Sequence, residues 1–159
     1  MTARREWLGL SVFLAACLAV AGFGGMVTRT SVGDWYVALR KPTWTPPTWL
    51  FGPVWSVLYA TMAVAAWLVW ARPGPRRPRT ALAAFGVQLA LNAGWTGLFF
   101  GLRQPGWALA EVVVLWAAIG ATVVLFWRVR AAWGAVMLPY WAWVTFASAL
   151  NFAIWRLNS

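Results

Sequence analysis

Histidine is absent from the 159 residues, and cysteine occurs once, at Cys17. A disulfide within the chain is thereby excluded, and a zinc site or a His-ligated haem lacks its usual ligands. Acids are nearly as scarce: Glu6, Asp34 and Glu111 stand against thirteen Lys and Arg, for a net charge of +10. No acid–base pair, nucleophile or metal motif for ordinary hydrolytic chemistry can be assembled from such a set. The excess of bases does not imply nucleic acid, because almost every base lies in a break between apolar runs and no basic face of the kind that meets phosphates is formed.

What is present is apolar. Hydrophobic residues make up 62% of the chain and charged residues 10%, far from the average of a soluble domain. This composition predicts an integral membrane protein, a single all-α unit over residues 1–159. Five spans are read, about 7–27, 49–70, 80–101, 107–127 and 135–155, each long enough at 1.5 Å per residue to cross a hydrocarbon core of roughly 30 Å. A cleaved signal peptide, or a lipoprotein signal at Leu14–Cys17, competes for the first run, but apolar residues continue from Leu18 to Val27 where a polar tether belongs, so a retained span is expected. Arg72–Arg79 (RPGPRRPR) breaks the chain between spans two and three, Leu102–Gly106 forms a tight loop, and 128–134 joins the last two spans.

Five spans put the termini on opposite sides. One side carries Arg4, Arg5, Arg72, Arg76, Arg77, Arg79, Arg128 and Arg130, and the other Arg29, Arg40, Lys41, Arg103 and Arg156. The positive-inside rule then places the N-terminus in the cytoplasm of a bacterial cell and the first loop outside. Trp7, Trp70, Trp107, Trp127 and Trp155 stand at span ends, where amphipathic rings anchor at the interface.

The first loop and the start of the second span, Trp35–Tyr59, read WYVALRKPTWTPPTWLFGPVWSVLY. Pro42, Pro46, Pro47 and Pro53 fix φ and remove donors, which predicts a stiff cover over something, structured rather than a linker. Pro46, Pro47 and Pro53 are expected to hold this cover in register with the wall that begins at Trp55.

The faces of the spans follow from roughly 100° per residue. Gly86, Ala90, Gly94, Gly97 and Gly101 fall on one stripe of the third span, ending in a GxxxG, and predict a close helix contact: a homodimer seam or a contact within the subunit. Gln88, Asn92, Trp95 and Phe99 lie opposite, and because amides facing lipid are costly this face looks inward. Trp55 and Tyr59 on the second span, and Tyr140, Trp143, Ala147 and Asn151 on the fifth, offer similar faces. Together the three predict a mostly apolar pocket with a few hydrogen-bonding groups, suited to a flat hydrophobic ligand. Glu111, a turn inside the fourth span, reads either as an interfacial ion pair with Arg103 or Arg156 or as a proton or substrate relay.

Trp35-Tyr36, Leu39, Lys41-Pro42, Trp44, Pro46-Pro47, Trp55 and Leu58-Tyr59 resemble the signature of the translocator protein family, also called tryptophan-rich sensory proteins, TspO/MBR. Gln88, Leu91-Asn92, Trp95, Gly106-Trp107-Ala108-Leu109 with Glu111, Pro139-Tyr140, Trp143, Leu150-Asn151 and Trp155-Arg156 extend the resemblance through the remaining spans. It implies a five-helix bundle, usually dimeric, that binds porphyrins and related tetrapyrroles, benzodiazepine-type ligands and, in animal members, cholesterol. Trp55 and Trp143 resemble the tryptophan pair implicated in light- and oxygen-dependent porphyrin breakdown, and Asn92 and Ala147 other pocket positions; Trp44 is counted with the ligand-facing residues.

The function expected is therefore a membrane receptor or sensor for protoporphyrin IX or haem, without a covalent cofactor or a metal site. Trp55 and Trp143 become catalytic if it degrades porphyrin, and transport of porphyrin is a third reading. With histidine absent, a bound tetrapyrrole is held by packing, stacking and hydrogen bonds, or by an unusual ligand such as Cys17 or a tyrosine, with Arg40 and Lys41 expected to meet its propionates. Cholesterol is discounted, since Phe152 and Ala153 stand where the recognition pattern needs a tyrosine between Leu150 and Arg156.

Overall fold

A computed structural model describes residues 3–72 and 78–159. Every regular element among them is helical: α1 (Ala3–Val32), the short α2 (Trp35–Ala38), α3 (Thr48–Ala71), α4 (Arg79–Thr96), α5 (Pro105–Val129) and α6 (Ala131–Asn158). Four stretches are long and apolar enough to cross a membrane: Arg4–Val32, Thr48–Ala71, Arg79–Gly101 and Pro105–Val129. Helix α6 has the length, at 28 residues, but its tyrosine, threonine, serine, asparagine and proline content dilutes its apolar character.

The five long helices close into a ring in the order α1, α3, α6, α5, α4 and back to α1. The core lies along its axis, where Met62, Ala66, Leu115, Ile119, Phe126, Met137 and Tyr140 lose all or nearly all their exposure. Cys17 is buried in the same core, with a free thiol. Trp7, Leu8, Val12 and Trp107 point outward, as helices in lipid allow.

Helix ends depart from the sequence reading wherever capping outlasts the apolar run. Helix α1 continues past Val27 to Val32. The link expected over 128–134 shrinks to Arg130 alone, whose extended backbone (φ −159°, ψ 130°) lets α6 begin at Ala131. Helix α5 starts at Pro105, a first-turn position that proline suits because its missing N–H needs no partner there. The preceding Arg103 adopts the left-handed region (φ 57°), uncommon for a residue with a Cβ. Pro53 and Pro139 are accommodated inside α3 and α6. The basic run between α3 and α4 falls mostly on 73–77, Arg76 and Arg77 included, which lie outside the described residues.

A π turn ends the regular helix of α4 without removing Phe99 from its expected inward face. Residues Gly97–Gly101 form a π-helical turn, with Leu102 N–H donating to the Gly97 carbonyl at 2.8 Å, so 100° per residue fails after Thr96. Phe99 faces into the bundle, where it is 2% exposed and stacks on Trp95 with centroids 5.4 Å apart. The small-residue stripe therefore divides. A Cβ on Gly86 or Gly97 would meet open space, one on Gly94 would lie 3.6 Å from the Glu111 carboxylate, and one on Gly101 would lie 3.2 Å from Val27 of α1.

Close helix approaches are also made between α5 and α6. A Cβ on Gly120 would come within 2.9 Å of the Trp141 ring, and one on Gly134 within 2.9 Å of the Trp127 backbone. Trp116 and Trp141 lie across the same contact with centroids 5.1 Å apart, and Trp116 Nε1–H donates to Thr145 Oγ1 at 2.8 Å.

Candidate functional site

Between the upper halves of α1, α3, α4 and α6, beneath α2, the bundle leaves a cavity of about 410 Å³. Its walls are chiefly aromatic: Phe51 and Trp55 from α3, Trp95 and Phe99 from α4, Trp143 from α6 and Tyr36 from α2. Rings here meet edge-on or tilted, Phe51 to Trp143 at 5.9 Å and Trp55 to Tyr59 at 5.5 Å, which leaves faces available to a planar guest. Helix α1 supplies the open side. Ala21, Gly24, Gly25, Thr28, Arg29 and Val32 recur at steps of three and four and so share one face, where Gly25 leaves space in place of a side chain.

The floor is a buried polar chain with a direction. Tyr59 donates to Asn92 Oδ1 at 2.5 Å, Asn92 Nδ2–H donates to the Tyr140 hydroxyl at 3.0 Å, and Tyr140 donates to Gln88 Oε1 at 2.9 Å. Beside it, Trp95 Nε1–H donates to Asn151 Oδ1 at 3.0 Å, and Asn151 Nδ2–H donates to the Pro105 carbonyl at 2.8 Å, tying α4, α6 and the start of α5. Such groups cost several kcal/mol if left unpaired in a membrane interior, so the chain fixes how α3, α4 and α6 face one another. Among the described residues, four buried polar atoms find no partner: Gln88 Nε2, Trp143 Nε1 and both carboxylate oxygens of Glu111. Trp143 is the one of these residues that lines the cavity.

The cover is fastened to the bundle by side chains. Asp34 caps α2 by accepting from Trp35 N–H, and Arg103 reaches Asp34 Oδ2 and the Thr30 carbonyl, each at 3.4 Å. That backbone bond first, and Arg103 with it, hold the Asp34 carboxyl below the usual aspartate range. Lys41 Nζ donates to the carbonyls of Tyr36, Val37 and Leu39 at 2.6, 3.2 and 3.0 Å and sits 4.8 Å from the centre of the Tyr36 ring. Asn158, at the end of α6, pairs with the Arg40 backbone through both amide atoms, at 3.0 and 2.9 Å.

The TspO/MBR family profile matches residues 13–156. The chain belongs to the TspO/MBR family. It is 43% identical over 153 residues to protein CrtK of Rhodobacter capsulatus, covering 93% of this chain and 91% of that protein. It is 40% identical over 152 residues to the tryptophan-rich protein TspO of Archaeoglobus fulgidus, covering 96% and 98%, and 40% identical over 126 residues to the human translocator protein, covering 78% and 75%. Family membership and the four long apolar helices together make it a multi-pass integral membrane protein.

Within this TspO/MBR chain, Trp55, Tyr59, Trp95, Trp143, Ala147 and Asn151 line the cavity. Gln88, Asn92 and Tyr140 do not; they form the polar chain under it. Trp44 lies outside, about half exposed, with its ring 5.8 Å from Phe146. Lys41 is committed to the carbonyls of α2, so it is a fastening of the cover rather than a group awaiting propionates. Glu111 pairs with neither Arg103 nor Arg156: Arg103 pairs with Asp34, and a Glu111 oxygen lies toward Gly94 instead. Cys17 sits in the core and does not line the cavity, which removes it as an iron ligand there.

The sequence reading missed the α1 wall, Tyr36 and Phe51. The three-and-four spacing from Ala21 to Val32 carried the signal for α1, but ending the span at Val27 cut the stripe before Thr28, Arg29 and Val32. Phe99 carried its signal in the spacing that sets it with Gln88, Asn92 and Trp95 on the inward face, and it lines the cavity although a π turn replaces the regular helix there.

Proposed function

We propose that this TspO/MBR protein is a membrane receptor for flat, largely apolar tetrapyrroles of the protoporphyrin or haem type, which it senses through the cavity beneath α2. The observation that carries this reading is the cavity itself: about 410 Å³, walled by aromatic rings from four helices, with the buried Trp143 Nε1–H left without a partner. A planar ligand stacked there gains contact area from the rings, and an acceptor on its edge satisfies that indole. No histidine exists to ligate iron, and Tyr59 already donates to Asn92, so the lining suits a ligand recognised by its ring rather than by a metal.

The test is a titration of protoporphyrin IX followed by tryptophan fluorescence. The wild type is expected to be quenched saturably, and the Trp55→Phe, Trp143→Phe double variant to bind about tenfold or more weakly, as loss of two indole contacts of about 0.5–1.5 kcal/mol each implies. Equal affinity in the two proteins would remove these indoles from the site.

A second reading is favoured by one arrangement: Trp55 and Trp143 line the same cavity, and Trp55 lies 5.5 and 6.2 Å from the rings of Tyr59 and Tyr140. These are sites where an oxidised indole would act on a bound porphyrin. Product that forms under controlled light and oxygen in the wild type and stops in the double variant distinguishes turnover from photobleaching.

Five passes, with the N-terminus cytoplasmic, are the topology we infer. Two contacts support the alternation of helix ends, and the distribution of basic residues carries the orientation. Arg5 stacks over Trp70 at 5.9 Å, where α1 begins and α3 ends, and Asn158 at the end of α6 pairs with Arg40 at the opposite end of the bundle. The outward-facing Gly86, Ala90 and Gly97 remain the candidate seam of a homodimer, in which case Gly86→Leu with Gly97→Leu yields a monomer in detergent.

A further inference from the structure

The polar groups around the cavity are unevenly committed. Asn151 Oδ1 accepts from Trp95, and the hydroxyls of Tyr59, Ser56 and Thr96 donate to Asn92 Oδ1, the Gly52 carbonyl (2.9 Å) and the Asn92 carbonyl (3.3 Å). Those hydroxyls, and those of Tyr36, Thr28 and Thr48, can still accept, whereas two uncommitted groups of the lining, the Trp143 indole and Arg29, can only donate. Trp143 Nε1–H is buried and unpaired. At the mouth stands Arg29, the one charged side chain in the lining, whose guanidinium makes no hydrogen bond or ion pair among the described residues. Asp34, the acid of the adjoining loop, is taken by Arg103 and the Trp35 N–H. The first turn of α3 also lines the cavity through Thr48 and carries no side-chain cap, so its N–H groups add a positive field.

We propose that Arg29 is the anion-recognition residue of this cavity, so that its ligand is a flat apolar body with a carboxylate at the edge that reaches the mouth. A guanidinium at the rim meets a carboxylate through two parallel N–H bonds without being taken out of water, while the uncharged body goes into the apolar interior. The alternative, a neutral apolar ligand, leaves the cationic rim and both donors unused. Lys41 cannot serve in its place, since its ammonium is spent on three carbonyls of the cover.

The inference rests on the tetrapyrrole reading above, and protoporphyrin IX and its dimethyl ester separate the two. They share one ring system and differ in the charge of their propionates. Wild-type protein in detergent is expected to bind the free acid about tenfold or more tightly than the diester, and raised salt to narrow the gap. Arg29→Gln abolishes the preference while leaving diester affinity unchanged, and Arg29→Lys restores part of it, less than arginine because the bidentate geometry is lost. Equal binding of acid and ester by the wild type, or a preference that survives Arg29→Gln, overturns the role of Arg29 and leaves the tetrapyrrole reading standing. An equal loss for both ligands in Arg29→Gln also overturns it, because the residue then shapes the cavity rather than recognising charge. Failure of the wild type to bind either compound overturns the underlying reading as well.

Discussion

Tyr140 is the residue on which the buried polar chain turns, since it accepts from Asn92 and donates to Gln88. Replacing it with phenylalanine strands both amides, whereas Tyr59→Phe strands only Asn92 Oδ1. Tyr140→Phe should therefore cost about 1–3 kcal/mol, and Tyr59→Phe roughly half that, read as lowered thermal midpoints in one detergent. An unaltered midpoint in Tyr140→Phe would mean that the chain does not help to hold α4 and α6 together. Asp34 gives a pH-dependent counterpart. Its carboxyl titrates below the usual aspartate range in the folded protein, so its contribution is present above that range and is lost as pH falls through the lowered value. Hydrogen exchange of the amides of α2 should accelerate across that acid step, and Asp34→Asn should be fast at every pH with no step. That Gln88, Asn92 and Tyr140 look inward was legible in the sequence, because an amide facing lipid is costly. Their place beneath the cavity was not, because it depends on partners from two other helices.

The helices divide in the same way. Their existence follows from apolar run length, and their ends do not, since Arg130 stops α5 and starts α6 by backbone conformation alone, and α1 outruns its last apolar residue in the sequence pattern by a full turn. The regular helix of the third span ends at Thr96, where a π turn begins, yet Phe99 still faces the site as its spacing from Asn92 and Trp95 implied. Close approach, expected on α4, is also made by Gly120 and Gly134 between α5 and α6, where the large partners are tryptophans that a small-residue pattern does not reveal. Gly134→Ala places its methyl against the Trp127 backbone, which cannot yield as a side-chain tip would. A loss of about 1–3 kcal/mol is expected, seen as a lower unfolding midpoint, while Gly86→Ala, which meets open space, leaves it unchanged. Asn158→Ala releases the cover from α6 and should speed ligand uptake and release with little change in equilibrium affinity, a split that stopped-flow quenching resolves. A Pro46→Ala, Pro47→Ala variant is the comparison: if the prolines hold the register, its rates change too, and if Asn158 and Lys41 suffice they do not.

At the scale of the molecule, five long helices in a closed ring leave one aromatic cavity under a fastened cover, and the function assigned to this TspO/MBR protein stands or falls with what that cavity admits. Composition and motif spacing were enough to place the chain in a membrane and most of the cavity's tryptophans on facing helices. The contribution of α1, the longest helix and the plainest in sequence, appears only once the ring is closed. Gly25 and Gly52 offer a way to close the cavity without disturbing its walls, since both line it and a Cβ on either meets open space. The decisive measurement is protoporphyrin IX affinity in a Gly25→Trp, Gly52→Trp variant whose thermal midpoint matches the wild type. Loss of saturable binding is the result predicted; wild-type affinity in a folded variant would contradict the cavity as the site of recognition.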